Sequence, residues 1–179
     1  MYISEIRTKA PRDGERTELE LKMYDALEKI GIPYEHVDND PAHTMEECAE
    51  VDAVIGCEIR KSVFLCNQKK TSFFLLVMPA NKAFDTGAFS KKLGVSHMSF
   101  AAPEYMLEHL GTTPGSASVA GILCDLDDYV QVIIDKEVAD EEYFACNPGI
   151  NTSHLKFKTE DLLKKFLPKN HHRPRIVSL

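Results

Sequence analysis

The chain has 179 residues, of which 44% are hydrophobic and 27% charged, and a formal net charge of −7. That length suits one domain with a real core, and the acidic balance argues against a general nucleic-acid binder while leaving room for a local basic face. No apolar run reaches the length of a membrane span, and the five cysteines show neither a CxxC pair nor a metal-ligand spacing, so they read as reduced thiols.

Residues 1–16 are polar and irregular, lack the apolar segment of a signal peptide, and read as a loose arm. Thr17-Glu18-Leu19-Glu20 fits a capping box; Leu19, Met23, Ala26, Leu27 and Ile30 then recur at helical spacing, and Gly31 stops the helix. Ile32 to Val37 reads as a short strand. Thr44-Met45-Glu46-Glu47 is a second capping box, opening a helix that runs to about Val54.

The stretch from Cys57 to Pro79 organises the chain. Val63-Phe64-Leu65 and the run Phe73 to Met78 flank the polar turn Asn67-Gln68-Lys69-Lys70, a β-hairpin pattern. The second run is apolar at every position, which predicts a central strand buried on both faces. Lys61 stands at the mouth of the first strand. Its ammonium either snorkels to solvent, the first reading by composition, or meets an anionic or carbonyl partner in a cleft.

Asp85 is placed to cap a helix ending at Gly94, with Lys91 and Lys92 in its last turn complementing the helix dipole. His97 to Ala101 reads as a strand, and Pro103 begins a helix that ends at Leu110-Gly111. Val119–Cys124 and Tyr129–Asp135 read as strands around the solvated turn Asp125-Leu126-Asp127-Asp128. Two further strands, Tyr143–Cys146 and His154–Phe157, precede a last helix capped by Thr159 and ended by Pro168. The expected organisation is an arm over 1–16, one domain over 17–167, and a basic, mobile tail over 168–179 that carries His171 and His172. Mixed elements without strict βαβ alternation predict an α+β fold with a mixed sheet.

Few stretches carry chemistry on their own. The segment Gly111–Ser118 (GTTPGSAS) could present backbone N–H groups to a phosphate or an oxyanion, or could simply connect a helix to the next element. His43, His97, His109 and His154 are scattered, with no HExxH or i,i+4 pair, and no GxSxG elbow is present, so no metal or cofactor is expected. Cys66 and Cys146 fall in predicted strands, where thiols are usually inert.

Four segments in order, the Lys61-led hairpin with its FFLLV strand, VSHMSFAA at 95–102, GTTPGSAS at 111–118 and NPGINT at 147–152, resemble the YbaK/ProX family of aminoacyl-tRNA editing domains. The likeness runs from about Glu18 to Leu167 and is closest to free-standing prolyl-tRNA editing proteins. It implies a mixed, barrel-like sheet flanked by helices. It also implies Lys61, Gly115 and Ser116 as catalytic residues, and Ser62, Ser118, Asn147 and Asn151 as substrate-binding ones. Three positions depart from the family pattern: Ser62 where Asn is common, Val119 where a loop proline is usual, and Asn147 where many relatives have His. An Asn can donate a hydrogen bond but cannot act as a base near neutral pH.

The function this implies is a cytoplasmic trans-editing hydrolase that removes alanine from tRNA for proline. It would use a positioned water and backbone oxyanion stabilisation, with no metal or cofactor. The implied partners are the aminoacylated 3′ end of a tRNA and prolyl-tRNA synthetase. The alternatives are a cysteinyl- or seryl-tRNA deacylase of the same fold, or a catalytically silent module that binds tRNA or a synthetase.

Overall fold

A computed structural model describes all residues, 1–179. Helix α1 (Glu18–Ile30) starts where Thr17 accepts the Glu20 N–H and stops at Gly31, which takes the left-handed conformation that glycine adopts without strain. Strand β1 (Tyr34–Asp38) follows, then α2 (Met45–Ile55), whose capping box is complete: Thr44 and Glu47 each take the other's backbone N–H. The predicted hairpin is β2 (Lys61–Cys66) and β3 (Phe73–Met78), in antiparallel register from Lys61↔Met78 to Cys66↔Phe73. Helix α3 (Thr86–Leu93), strand β4 (Ser99–Phe100) and helix α4 (Pro103–Leu110) come next. Strand β5 (Val130–Asp135), the short helix α5 (Lys136–Ala139), and strands β6 (Tyr143–Cys146), β7 (Ser153–Lys158) and β8 (Arg175–Val177) complete the chain.

Strand β3 is central, as its unbroken apolar run predicts. Phe73, Leu75 and Val77 point into the larger core with α1 and β7; Phe74, Leu76 and Met78 point into a smaller one closed by Phe89 of α3. Each face of β3 thus has its own layer, and no β3 side chain is more than 4% exposed.

The expected barrel-like sheet is instead two sheets: a five-stranded one ordered β4-β2-β3-β5-β8 and a three-stranded one ordered β1-β7-β6. They meet at a single parallel pair, Ile59 with Ala145, where Arg60 N–H donates to Ala145 O at 2.9 Å. The outer edge of β2 is therefore shared. Strand β6 takes its approach at Ile59, and β4 takes its far end at Leu65 and Cys66.

Other expectations are corrected. Val119–Cys124 is a 3₁₀ helix, not a strand; a short apolar run cannot be told from a buried helical turn by pattern alone. Ser118 caps it, and it lies so close to α4 that a Cβ on Gly121 would come within 2.7 Å of Leu110. Thr159 is the first residue of the last helix, not its cap, and its buried hydroxyl has no partner. Pro168 does not end that helix. A π-helical turn over Leu162–Phe166 precedes it, and the segment Leu167–Lys169 carries the proline onward, the wider turn accommodating a residue that has no N–H to give.

The arm is not loose. Ile3 and Arg7 pair with Asn39 and His36, and Arg16 forks onto Asp38 at 2.7 and 2.8 Å while reaching Glu20 at 2.8 Å. The tail is attached as well: β8 pairs in parallel with β5 and Val177 enters the smaller core. Polar composition hid both attachments, which rest on backbone pairing and a few charged contacts. No helix is long and apolar enough to cross a membrane.

Candidate active site

Between the two pairings on β2's outer edge, the stretch Lys61–Val63 borders a cavity of about 820 Å³. Helix α2 forms one wall with Met45, Cys48 and Asp52. The start of β2, the loop carrying Pro114, Gly115 and Ala117, and the β6–β7 connection with Asn147 and Asn151 form the others. The inner surface is apolar: Val63, Phe64, Ala101 and Met106, each at most 9% exposed, with Ala117 beside them. Met45 and Phe100 stay exposed where they border the cavity.

The structure brings together Lys61, Ser62, Gly115, Asn147 and Asn151, five of the seven residues expected from sequence, around this one cavity. Lys61 is exposed. Its neighbour Arg60 takes the nearby carboxylate instead, donating from Nη1 to Glu58 at 2.7 Å while its buried Nε has no partner. Asn147 accepts the Gly149 N–H through Oδ1 at 2.8 Å, which leaves its NH₂ as the group free to donate.

Ser116 and Ser118 stand outside the wall. Ser116 is buried and its N–H is spent in a turn, donating to Thr113 O at 3.1 Å. Ser118 is 1% exposed and caps the 3₁₀ helix through Ala120 N–H at 3.1 Å. The flanking amides of Gly115 and Ala117 make no hydrogen bond within the protein, and both residues border the cavity. Gly115 holds φ +91, a conformation that strains any L side chain, although a Cβ there would meet no atom within 4 Å. Thus the loop does offer backbone donors, one residue to either side of the expected serine.

His154 carries no local sequence signal. It is 4% exposed at the start of β7, borders the cavity, and places Nδ1 2.8 Å from Asn39 Oδ1. Burial pushes its imidazole down to about 4, so it is neutral at pH 7. Its partner lies 115 residues away, so no local spacing could have signalled the pair. Asp52 was missed as well. It accepts the Ile59 N–H at 2.9 Å, and burial, the largest influence, holds its carboxyl above the ordinary range. The cavity thiol, Cys48, is also pushed up, first by burial and then by Asp52 and Glu47, which leaves it a poor nucleophile.

The tail histidine belongs elsewhere. His172 is 1% exposed; Nε2 lies 2.8 Å from Asp125 Oδ2 and Nδ1 2.6 Å from Asn170 O. Asp125 also accepts the N–H groups of Tyr129 and Val130, at 3.0 and 2.7 Å, so the expected solvated turn is an anchored one. Asp125, Asp128 and His172 lie close enough to suggest ligands, but the oxygens of Asp125 are already engaged by protein donors.

These features fall within a known domain type. Residues 39–165 match the family model for the aminoacyl-tRNA editing domain, and the chain belongs to that family. It is 29% identical over 138 residues to the prolyl-tRNA editing protein ProX of Acetoanaerobium sticklandii, covering 77% of this chain and 84% of that one. It is also 26% identical over 165 residues to the prolyl-tRNA synthetase associated domain-containing protein 1 of Bos taurus, covering 90% of this chain and 95% of the relative. The fold matches a solved structure of a proposed trans-editing enzyme for prolyl tRNA synthetase, with a TM-score of 0.67 and 17% identity over 92% of this chain and 99% of that one.

Proposed function

We propose that the protein is a deacylase acting in trans on mischarged tRNA for proline, with alanine as the amino acid removed. The observation that carries this reading is one cavity in which Lys61, two unpaired backbone amides and a small apolar floor converge, in a chain of the editing family. The relationship to a protein named for prolyl-tRNA editing supports the choice of tRNA.

Lys61 sets a positive charge against the phosphate or backbone side of the terminal aminoacyl-adenosine. The amides of Gly115 and Ala117 take the negative charge that develops on the carbonyl oxygen as water adds, while the NH₂ of Asn147 donates to the bound ester or ribose. Phe64, Ala101 and Met106, which share one core, receive the alanine methyl. Proline, two methylenes larger, is excluded by size, each methylene that cannot fit costing roughly 1–3 kcal/mol.

The test is Lys61→Ala with alanyl-tRNA for proline as substrate. A well-placed charge of this kind is worth about 2–4 kcal/mol, so hydrolysis should fall at least thirtyfold while circular dichroism and thermal unfolding stay as in the wild type. Full activity in the folded variant would place the site elsewhere.

A further inference from the structure

The cavity holds one imidazole, and its hydrogen bonds define which nitrogen is free. Asn39 can sit only one way round: its NH₂ donates to Asp40 O at 2.8 Å and to Asn151 O at 3.1 Å. Its Oδ1 must therefore be the atom facing His154 Nδ1 at 2.8 Å, and an amide oxygen only accepts. Nδ1 carries the proton, and Nε2 is left with a bare lone pair. That nitrogen has no protein partner. The fully buried side-chain atoms left without a partner are Glu35 Oε2, Arg60 Nε and Thr159 Oγ1, so Nε2 keeps some exposure, in a residue that borders the cavity. A base held in one tautomer by a third group, beside amides free to meet an oxyanion, is the arrangement that water-activated acyl transfer requires. Asn147 cannot fill that place, since its oxygen is spent on Gly149 and its nitrogen only donates.

We propose that His154 is a catalytic residue of this cavity, its Nε2 taking a proton from the water that attacks the ester carbonyl carbon. The inference rests on the deacylase reading. As the water oxygen bonds to the acyl carbon, the proton passes to Nε2 and the carbonyl electron pair moves onto the oxygen. Collapse then breaks the bond from the acyl carbon to the ribose oxygen, and Nε2–H returns its proton to that leaving oxygen. Asn39 is a positioning residue: it keeps the proton on Nδ1 throughout.

The experiment is single-turnover hydrolysis of alanyl-tRNA for proline between pH 4.5 and 8, with wild type, His154→Gln and Asn39→Asp. General-base assistance is worth about 10²–10⁴, so His154→Gln should lose at least a hundredfold at pH 7 while keeping the wild-type circular dichroism. Asn39→Asp should remain active at pH 8, but the acid limb of its profile should move upward, because a carboxylate facing Nδ1–H favours the imidazolium. The other titratable groups on the wall are Glu46, Cys48 and Asp52 of α2, and Glu58, Arg60 and Lys61 at the start of β2. An acid limb owed to one of these would not follow Asn39. Wild-type rates in folded His154→Gln, or an unmoved limb in Asn39→Asp, would overturn the inference and leave the deacylase reading standing; if His154→Gln does not fold, Asn39→Asp alone decides. A wild type that hydrolyses no charged tRNA overturns both.

Discussion

Two buried histidines in this molecule sit in opposite circumstances. His172 has both ring nitrogens against oxygen atoms, and the carboxylate it meets is itself held by two backbone N–H groups. His154 has one nitrogen fixed by Asn39, while the other has no protein partner on the wall of the cavity. The first arrangement is complete. Its hydrogen-bonding capacity is used up in joining the C-terminal segment to the start of β5, which is how a polar cluster stabilises a fold. The second leaves capacity that only a bound molecule can use, as do Lys61 and the amides of Gly115 and Ala117. A satisfied buried group does structural work, and a half-satisfied group facing a cavity is a candidate for chemistry.

That contrast can be broken most forcefully at the satisfied cluster. Asp125→Ala would strand two backbone donors and an imidazole in a buried setting, and should lower unfolding stability by about 3 kcal/mol. Urea titration measures this loss, and the rate per folded molecule on alanyl-tRNA should be unchanged. A variant as stable as the wild type, or one that is folded but slow, would erase the distinction between the two regions.

A smaller effect is expected from pH. The folded-state value of His154 is depressed below its unfolded one, so the unfolded chain binds the proton first as pH falls. Its contribution to stability is full above the ordinary histidine value, about 6.5, and is progressively lost as pH falls toward about 4. Between pH 7 and 5 this one group should account for about 2 kcal/mol of lost stability. His36, lowered mainly by burial, adds a loss of the same sign. Urea midpoints at the two pH values should therefore differ less in His154→Gln than in the wild type. An equal pH dependence in both would mean that His154 takes up its proton as readily in the folded state as in the unfolded one.

The smallest effect is expected at the sealed thiols. Cys66 and Cys146 are both buried, and burial holds the Cys146 thiol far above its ordinary range, so Cys146 supplies no thiolate near neutral pH. Cys66→Ser and Cys146→Ser, made singly, should each keep turnover within about twofold of the wild type per folded molecule. A folded but inactive variant, or a trapped acyl-enzyme, would point to covalent catalysis.

Most of the frame could be read from local pattern. The Thr44 capping box, the Asp85 cap and the all-apolar β3 each declare themselves within a few residues, and each forms where expected. What could not be read depends on partners far along the chain. The run Val119–Cys124 becomes helical because of Ser118 beneath it and Leu110 beside it. The arm and the tail are held by Asp38, β5 and Asp125, contacts that leave no periodicity. The site divides in the same way. That Lys61, Gly115 and Asn147 share a cavity could be expected because they lie in motifs, whereas the pairing of His154 with Asn39 follows from no spacing rule. Ser116 lies off the cavity wall with its N–H on Thr113, because a loop's composition does not reveal which of its amides pair within the loop.

In the proposed reaction this cavity cleaves a small acyl group from tRNA for proline and rejects the cognate one. The most direct measurement is the initial rate of hydrolysis of alanyl, seryl, cysteinyl and prolyl esters on that same tRNA by the wild-type protein. The alanyl ester should be cleaved fastest. The seryl ester should be slower, because its hydroxyl would be buried without a partner, and the prolyl ester should be spared. An alanyl ester left untouched while the cysteinyl or prolyl ester is cleaved would contradict it.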